Sequence, residues 1–531
     1  MSKRTKKGFI AIIVATIIVM ANVMPVFASI SSSANKSSIT ITGLEAGVTA
    51  YIYQLTTVNY NYVADQPYDP EYVWDETLLD WLKENYSSYI DDDGESVSSS
   101  FSDELIASDS DEVKAFYSEL IAAIKGGEIS LTRNSSATES SGAEQSYPVD
   151  EEDCIYEITF SNLSMGTYLI IVENGYRVYT PVVANLVPVY DEDTEEWTLS
   201  AITAECKSTN PQIEKTVTDD ETSADNYSTT DTIGYTIVAD IPTYLSDSLS
   251  TTYQITDTLS DGLTLNTSSI VVYGVNGSSK TVLTEGTHYT FDSLTTSGFT
   301  VDFDYDEISS YEKIRIEYTA TLNQNSTLVL GEDGNGNDVN LTYSNNPYSS
   351  SNVTTMPTVP GTPVVYTYGI QITKTDSSDS SVVLDDAEFV LQSKDEGTLY
   401  FVLVDGIYYK AESTDDDATI TLVSDEKGLI TIYGLDEGTY YLQETKAPDD
   451  YILDTTTRTI EIVDDDTDGL IETDEGETNS GVLSITVTNK TGFSLPITGG
   501  YGAVLFVIAG IIVIIIGVAI WKRNAKEERN V

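Results

Sequence analysis

Histidine, cysteine and positive charge are all scarce in this chain of 531 residues. The single histidine, His288, leaves one place for a His-containing dyad or triad, and no serine or cysteine nucleophile motif lies near it. It reads as a structural residue in a hairpin-like stretch. Lysine and arginine number 26 against 85 acidic residues, a net charge of −59. That balance argues against nucleic acid or an anionic membrane as partner, since both are recognised by basic patches. Cys154 and Cys206 are the two cysteines. Both fall in phase with apolar neighbours (Ile158 and Phe160; Ile202 and Ala204), so both are expected to face inward, as a disulfide or as two buried thiols.

What is abundant suits β-structure: 36 tyrosines, with many threonines, serines and valines. The length calls for two to four domains. Residues 1–28 read as a signal peptide: Lys3, Arg4, Lys6 and Lys7 precede an apolar run from Phe9 to Met24, and Val26-Phe27-Ala28 has the small residues of a cleavage site. At the other end, Ala503–Trp521 is an uncharged apolar run that as a helix would span ~28 Å. Lys522, Arg523, Lys526 and Arg529 follow it and place the terminus inside. The chain is therefore expected to be exported and held, at least transiently, by its tail.

Between these ends three β-rich domains are expected. The first, 29–209, carries a small helical insertion: Trp74, Leu78, Leu82 and Tyr86 share one face, as do Val113, Phe116, Leu120 and Ile124, with Gly126-Gly127 closing the second helix. The second, 210–362, and the third, 363–490, alternate hydrophobic and polar residues between turn signals, the pattern of tandem Ig-like β-sandwiches. Residues 491–531 form the C-terminal signal.

Polar side chains interrupt the inward faces in a repeated order. In the third domain Tyr366, Tyr368, Ile370, Ile372 and Lys374 share a face, as do Tyr440, Leu442 and Glu444, and Leu483, Ile485, Val487 and Asn489. In the second, Ile213, Lys215 and Val217 share a face, as do Tyr253, Ile255, Asp257 and Leu259, and Leu341, Tyr343 and Asn345. Burial disfavours both charged forms, so each lysine tends towards a neutral, nucleophilic amine and each acid towards a protonated carboxyl that can polarise an amide. Those are the requirements for Lys–Asn isopeptide formation with loss of ammonia, an intramolecular reaction in which proximity supplies much of the rate. A lone buried ion pair is the plainer account of any one site; two sites in the same order favour the chemistry.

The stretch Tyr440-x-Leu442-x-Glu444-Thr445-x-Ala447-Pro448-x-x-Tyr451 resembles the E-box of collagen-adhesin B-type domains in Gram-positive pilins, departing from it at Asp450, where the family usually has glycine. The resemblance implies that Lys374 and Asn489 are cross-linked and that Glu444 promotes the bond. The second domain is similar to the pilin isopeptide-linkage domain, at Glu214-Lys215, Ile255-Thr256-Asp257 and Tyr343-Ser344-Asn345-Asn346-Pro347. Lys215 is assigned to Asn345 with Asp257 as promoter; Asn346 is the alternative. Leu495-Pro496-Ile497-Thr498-Gly499, ahead of an apolar run and a basic tail, resembles a sortase signal cut between Thr498 and Gly499. The amine that resolves the acyl-enzyme is expected to be Lys207. It is out of phase with Ile202, Ala204 and Cys206 and so faces solvent, although Glu205-Cys206-Lys207 lacks the usual Tyr-Pro-Lys form.

The resemblance implies a major pilin subunit polymerised by sortase into a covalent shaft at the cell surface, with neighbouring subunits and peptidoglycan as partners and no chemistry beyond single-turnover self-cross-linking. A monomeric wall-anchored adhesin or minor pilin is the alternative. No host-ligand motif stands out. Finally, Asp464, Asp466, Asp468, Gly469 and Glu475 have the spacing of a calcium loop, but between strands rather than helices.

Overall fold

A computed structural model describes residues 19–20, 36–61, 63–64, 66–99, 101, 111–131, 133–138, 154–193, 195–217, 224–244, 251–346, 353–357, 362–473, 476–478 and 481–492. The sorting pentapeptide, the apolar run 503–521, nearly all of the leader and Glu475 lie outside these residues. Among the described residues no helix is long and apolar enough to cross a membrane. The chain forms two compact units, one of residues 1–227, 231–329 and 333–366, the other of 228–230, 330–332 and 367–531.

The first unit holds two β-domains. In the N-terminal one, β1 (Lys36–Leu44) lies between β2 (Tyr156–Ser164), antiparallel, and a parallel strand at Ile202–Glu205. The opposing sheet runs Val182–Leu186, β3 (Gly166–Glu173), Thr49–Gln54 and Arg133–Thr138. β3 is buried along its whole length. The helical insertion comprises α1 (Leu79–Asn85) and α2 (Asp111–Gly126). Phe116 and Leu120 of α2 pack with Leu78 and Leu82, and with Trp74, which ends the strand Gln66–Trp74 rather than lying on a helix as the 3.6 period led one to expect. Gly127, at φ 79°, ends α2.

The middle domain is a two-sheet sandwich. One sheet orders β4 (Ile213–Val217), β5 (Ile233–Asp240), β6 (Lys313–Leu322) and Val271–Asn276; the other carries Val364–Tyr366, β7 (Asn335–Ser344), β8 (Tyr253–Leu259) and Gly298–Phe303. Alternate residues of β4, β6 and β8 are buried, the period of strands packed on one face. Val364–Tyr366 pairs with β7 and with Ala224–Asn226. The middle sandwich therefore extends past 362, and Tyr366 belongs to it rather than to the strand that carries Lys374.

The second unit is the C-terminal sandwich. β9 (Tyr368–Asp376) is flanked by Leu429–Leu435, antiparallel, and by β11 (Val482–Asn489), parallel. The facing sheet holds Glu388–Ser393, β10 (Gly438–Lys446) and Arg458–Ile462. The first and last strands are thus neighbours, and β10, which carries Glu444, lies on the other sheet.

Candidate functional site: lysine, acid and asparagine in the sandwich cores

In the C-terminal sandwich, Lys374 near the end of β9, Asn489 at the end of β11 and Glu444 of β10 are all buried. Lys374 Nζ lies 3.5 Å from Glu444 Oε1, and Asn489 Nδ2 donates to Glu444 Oε2 at 2.9 Å. One carboxyl group thus bridges amine and amide. Burial pulls the Lys374 amine below its ordinary value. Among the described residues Glu444 Oε1 and Asn489 Oδ1 are buried without a hydrogen-bond partner. Orphaned oxygens are rare in folded cores, and here both belong to the groups that would react. Asn489 Nδ2 also donates to the Ile452 carbonyl at 2.6 Å, so the nitrogen that would leave is held towards Glu444 Oε2.

The stretch around Glu444 is held from both ends. Asp454 N–H donates to Glu444 Oε2 at 2.7 Å, and Tyr451 Oη donates to Asp376 Oδ2 at 3.0 Å, which ties the E-box tyrosine to the end of the lysine strand. Asp450, the departure from glycine, has φ 68°. Aspartate is one of the few side chains that tolerate this left-handed turn, so the substitution preserves the turn geometry.

The middle domain brings Lys215 and Asp257 together as expected but replaces the asparagine. Lys215 Nζ donates to Asp257 Oδ2 at 2.5 Å, both side chains fully buried. Burial lowers the amine to about 8 and raises the carboxyl. Tyr318 of β6 donates to the same Asp257 Oδ2 at 2.8 Å and accepts from Asn337 Nδ2 at 2.9 Å. Lys215 also reaches the Asp338 carbonyl at 3.4 Å. Asn337 is fully buried, and the oxygens Asp257 Oδ1 and Asn337 Oδ1 are orphaned among the described residues. The amide beside this pair is therefore Asn337.

Asn345 donates instead to the Gly175 carbonyl and to Thr354 Oγ1, each at 2.8 Å, and Asn346 to Glu173 Oε1 at 2.5 Å, all away from Lys215. The assignment of Lys215 to Asn345, or to Asn346, is corrected to Asn337. Phase alone could not decide between them: Asn337 and Asn345 share one face of β7 and its continuation, eight positions apart. Which end faces the acid is set by pairing, where Asp257 lies opposite Val339 and Leu259 opposite Asn337. Tyr318, the hydroxyl that links acid to amide, carried no sequence signal beyond its inward phase.

The remaining candidates separate. Lys207 is exposed, just after the Ile202–Glu205 strand. Cys154 and Cys206 are not joined in a disulfide in this structure. Cys206 fills a core position among Ile41, Ile202 and Ala204, and burial pushes its thiol up to about 12; Cys154 is only half-buried. His288 Nδ1 accepts the Thr284 N–H at 3.1 Å inside its own turn. Asp464, Asp466 and Asp468 bring carboxylate oxygens within 4.8 Å of one another. Asp464 is buried and already accepts from Tyr368 Oη at 2.5 Å, Gly469 N at 2.9 Å and Asp468 N at 3.2 Å. Both its oxygens are thus engaged in holding the loop.

Comparison with known proteins agrees with this anatomy. Residues 229–347 match the model of the Gram-positive pilin backbone subunit 2, Cna-B-like domain, and residues 368–477 that of the SpaA prealbumin-like fold domain. The trypsin-resistant surface T6 protein of Streptococcus pyogenes serotype M6 is 26% identical over 326 residues, 56% of each chain, so the match spans about half the length of that relative. The solved T6 backbone pilin of serotype M6 Streptococcus pyogenes, described as a modular three-domain structure, superposes with a TM-score of 0.59 at 19% identity, covering 87% of this chain and all of that one. The full-length major pilin SpaD from Corynebacterium diphtheriae gives 0.49 at 19% identity, over 86% of this chain and 98% of that one. The chain thus has the fold of a Gram-positive backbone pilin and carries two pilin-type modules.

Proposed function

We propose that this chain is the major shaft subunit of a covalent pilus on a Gram-positive cell surface, with sandwiches clamped by autocatalytic isopeptide bonds. The observation that carries the reading is the single buried carboxyl of Glu444 touching both the amine of Lys374 and the amide of Asn489. In the reaction Lys374 Nζ attacks Asn489 Cγ, the Cγ–Nδ2 bond breaks, Glu444 carries the proton from amine to leaving nitrogen, and ammonia departs. Lys215, Asp257 and Asn337 perform the same step in the middle domain, with Tyr318 relaying between acid and amide. Each site turns over once, so the chain is a structural protein rather than an enzyme.

A sortase cuts between Thr498 and Gly499 of the Leu495-Pro496-Ile497-Thr498-Gly499 signal. The exposed Lys207 of the next subunit resolves the acyl-enzyme, and the finished polymer is attached to peptidoglycan. The leader 1–28 and the apolar tail serve export and transient retention. The T6 relative's name records resistance to trypsin; we extend that property to this chain, because a covalent clamp slows the unfolding that exposes cleavage sites.

The test is the ladder of high-molecular-weight species released from the wall by muramidase. Lys207→Ala cells are expected to retain only monomer. Ladders that persist in Lys207→Ala cells would remove Lys207 from the reading, and monomer alone in wild-type cells would favour a wall-anchored adhesin.

A further inference from the structure

The Lys–acid–Asn pattern that defines the C-terminal site recurs at a place the sequence did not mark. Glu173 ends β3 of the N-terminal domain and is 7% exposed. Its Oε1 accepts from Lys125 Nζ, in the last turn of α2, and from Asn346 Nδ2 of the middle domain at 2.5 Å. Lys125 is 16% exposed and Asn346 3%. Three lysine–carboxylate pairs among the described residues are mostly buried on both sides: Lys125–Glu173, Lys215–Asp257 and Lys374–Glu444. In the first and third the same carboxylate also accepts an asparagine amide. At Glu173 a single oxygen takes both nitrogens, which confines amine and amide to within two hydrogen-bond lengths of each other.

The surroundings hold the three groups in register. Lys125 Nζ sits 4.7 Å from the centre of the Tyr51 ring, which fixes the end of a long side chain. On the other side, Asn345 and Thr354 donate to the Gly175 carbonyl at 2.8 and 3.0 Å, and Tyr343 Oη to the Tyr176 carbonyl. The strand end 343–346 is therefore anchored along residues 173–176, with Asn346 at the carboxylate.

We propose that Lys125 and Asn346 form a third isopeptide bond, one that joins the N-terminal domain to the middle domain rather than closing a single sandwich. The amine Nζ adds to Asn346 Cγ and the Cγ–Nδ2 bond breaks. Glu173 takes the amine proton and returns it to the leaving nitrogen, and one ammonia is released, so no oxidant or cofactor enters. The product closes the chain from 125 to 346 and encloses the Lys215–Asn337 bond. If Lys207 is the polymer junction, tension enters downstream of the N-terminal domain and leaves at Thr498, so that domain carries no load. The third bond would keep it docked while the middle domain is pulled.

The inference rests on the self-cross-linking chemistry proposed above, and one digest separates the two. The full exported chain is digested under denaturing conditions and searched for branched peptides by tandem mass spectrometry. A branch joining Lys125 to Asn346 in most molecules is expected, and it should vanish in Asn346→Ala, which retains the Lys374–Asn489 branch as the sign that the chain still folds. Glu173→Gln should reduce the 125–346 branch at least tenfold while leaving 374–489 unchanged. Recovery of linear peptides with unmodified Lys125 and Asn346, alongside an intact 374–489 branch, would overturn this proposal alone. Absence of every branch would overturn the self-cross-linking reading as well.

Discussion

Lys374 and Asn489 sit two register positions apart on parallel neighbouring strands, Lys374 opposite Val487 and Asp376 opposite Asn489, and their side chains meet at one carboxyl group from the opposite sheet. A bond between them would span the chain from the first strand of the sandwich to the last. Tension along the chain would then pass through that bond and bypass the hydrogen bonds of the sheet. Glu444→Ala is expected to keep one ammonia that the wild type loses, ~17 Da after correction for the substitution. Loss of the closed loop removes roughly 5 kcal/mol of chain-entropy stabilisation. The melting temperature of the C-terminal sandwich should fall by on the order of 10–20 °C. An unchanged ammonia deficit in the variant would end the role assigned to Glu444.

In the middle domain the discriminating pair is Asn337 and Asn345. Asn337→Ala should abolish the bond to Lys215 and restore one ammonia to the intact mass. Asn345→Ala should leave the Lys215 bond complete, because its amide is spent on Gly175 and Thr354. The reverse outcome would return the assignment to the end of the strand that phase first suggested.

The Lys215–Asp257 pair would make the proposed middle-domain reaction pH-dependent. Burial lowers the amine to about 8 and raises the carboxyl, so the reactive form is the pair with one proton between them. Above about pH 8 that proton is lost, and Asp257 becomes an anion with nothing to give the amide. In acid the second proton arrives and the amine stops being a nucleophile. Bond formation after refolding chain from inclusion bodies, followed by quenched mass measurement, should therefore fall on both sides of a plateau, with the alkaline limb near pH 8. A rate that still climbs at high pH would mean that Asp257 takes no part as an acid.

Asp464 makes a different kind of prediction. Its carboxylate holds Tyr368, Asp468 and Gly469, three hydrogen bonds to a charged acceptor. Asp464→Ala should cost the C-terminal sandwich about 1–3 kcal/mol. The loss should be the same with calcium and with a chelator, since both Asp464 oxygens already accept hydrogen bonds from the protein. A wild-type melting temperature that rises with calcium would instead make this loop a cation site.

Much of this was legible in the strand period. A period of two placed Lys215, Asp257, Lys374, Glu444 and Asn489 on inward faces, and a period of 3.6 placed Phe116 and Leu120 on the buried face of α2, while Trp74, read in the same way, ends a strand. Asp450, which departs from the glycine of the resemblance, has a positive φ of 68°, the conformation glycine favours. The phase of Lys207 correctly put it in solvent, and the phase of Cys206 put it in the core.

What the sequence determined, then, is which side chains face inward, because facing depends only on the alternation of neighbours along one strand. Which inward side chains meet depends on how strands from distant parts of the chain are paired and slid past one another. In the C-terminal sandwich amine and amide share a sheet and the acid comes from across the core. In the middle domain acid and amide share a sheet and the amine comes from across. The same alternating pattern serves both arrangements. Register alone puts Asn337 rather than Asn345 beside Asp257, and the docking of two domains alone brings Asn346 to a carboxylate 173 positions away in the chain.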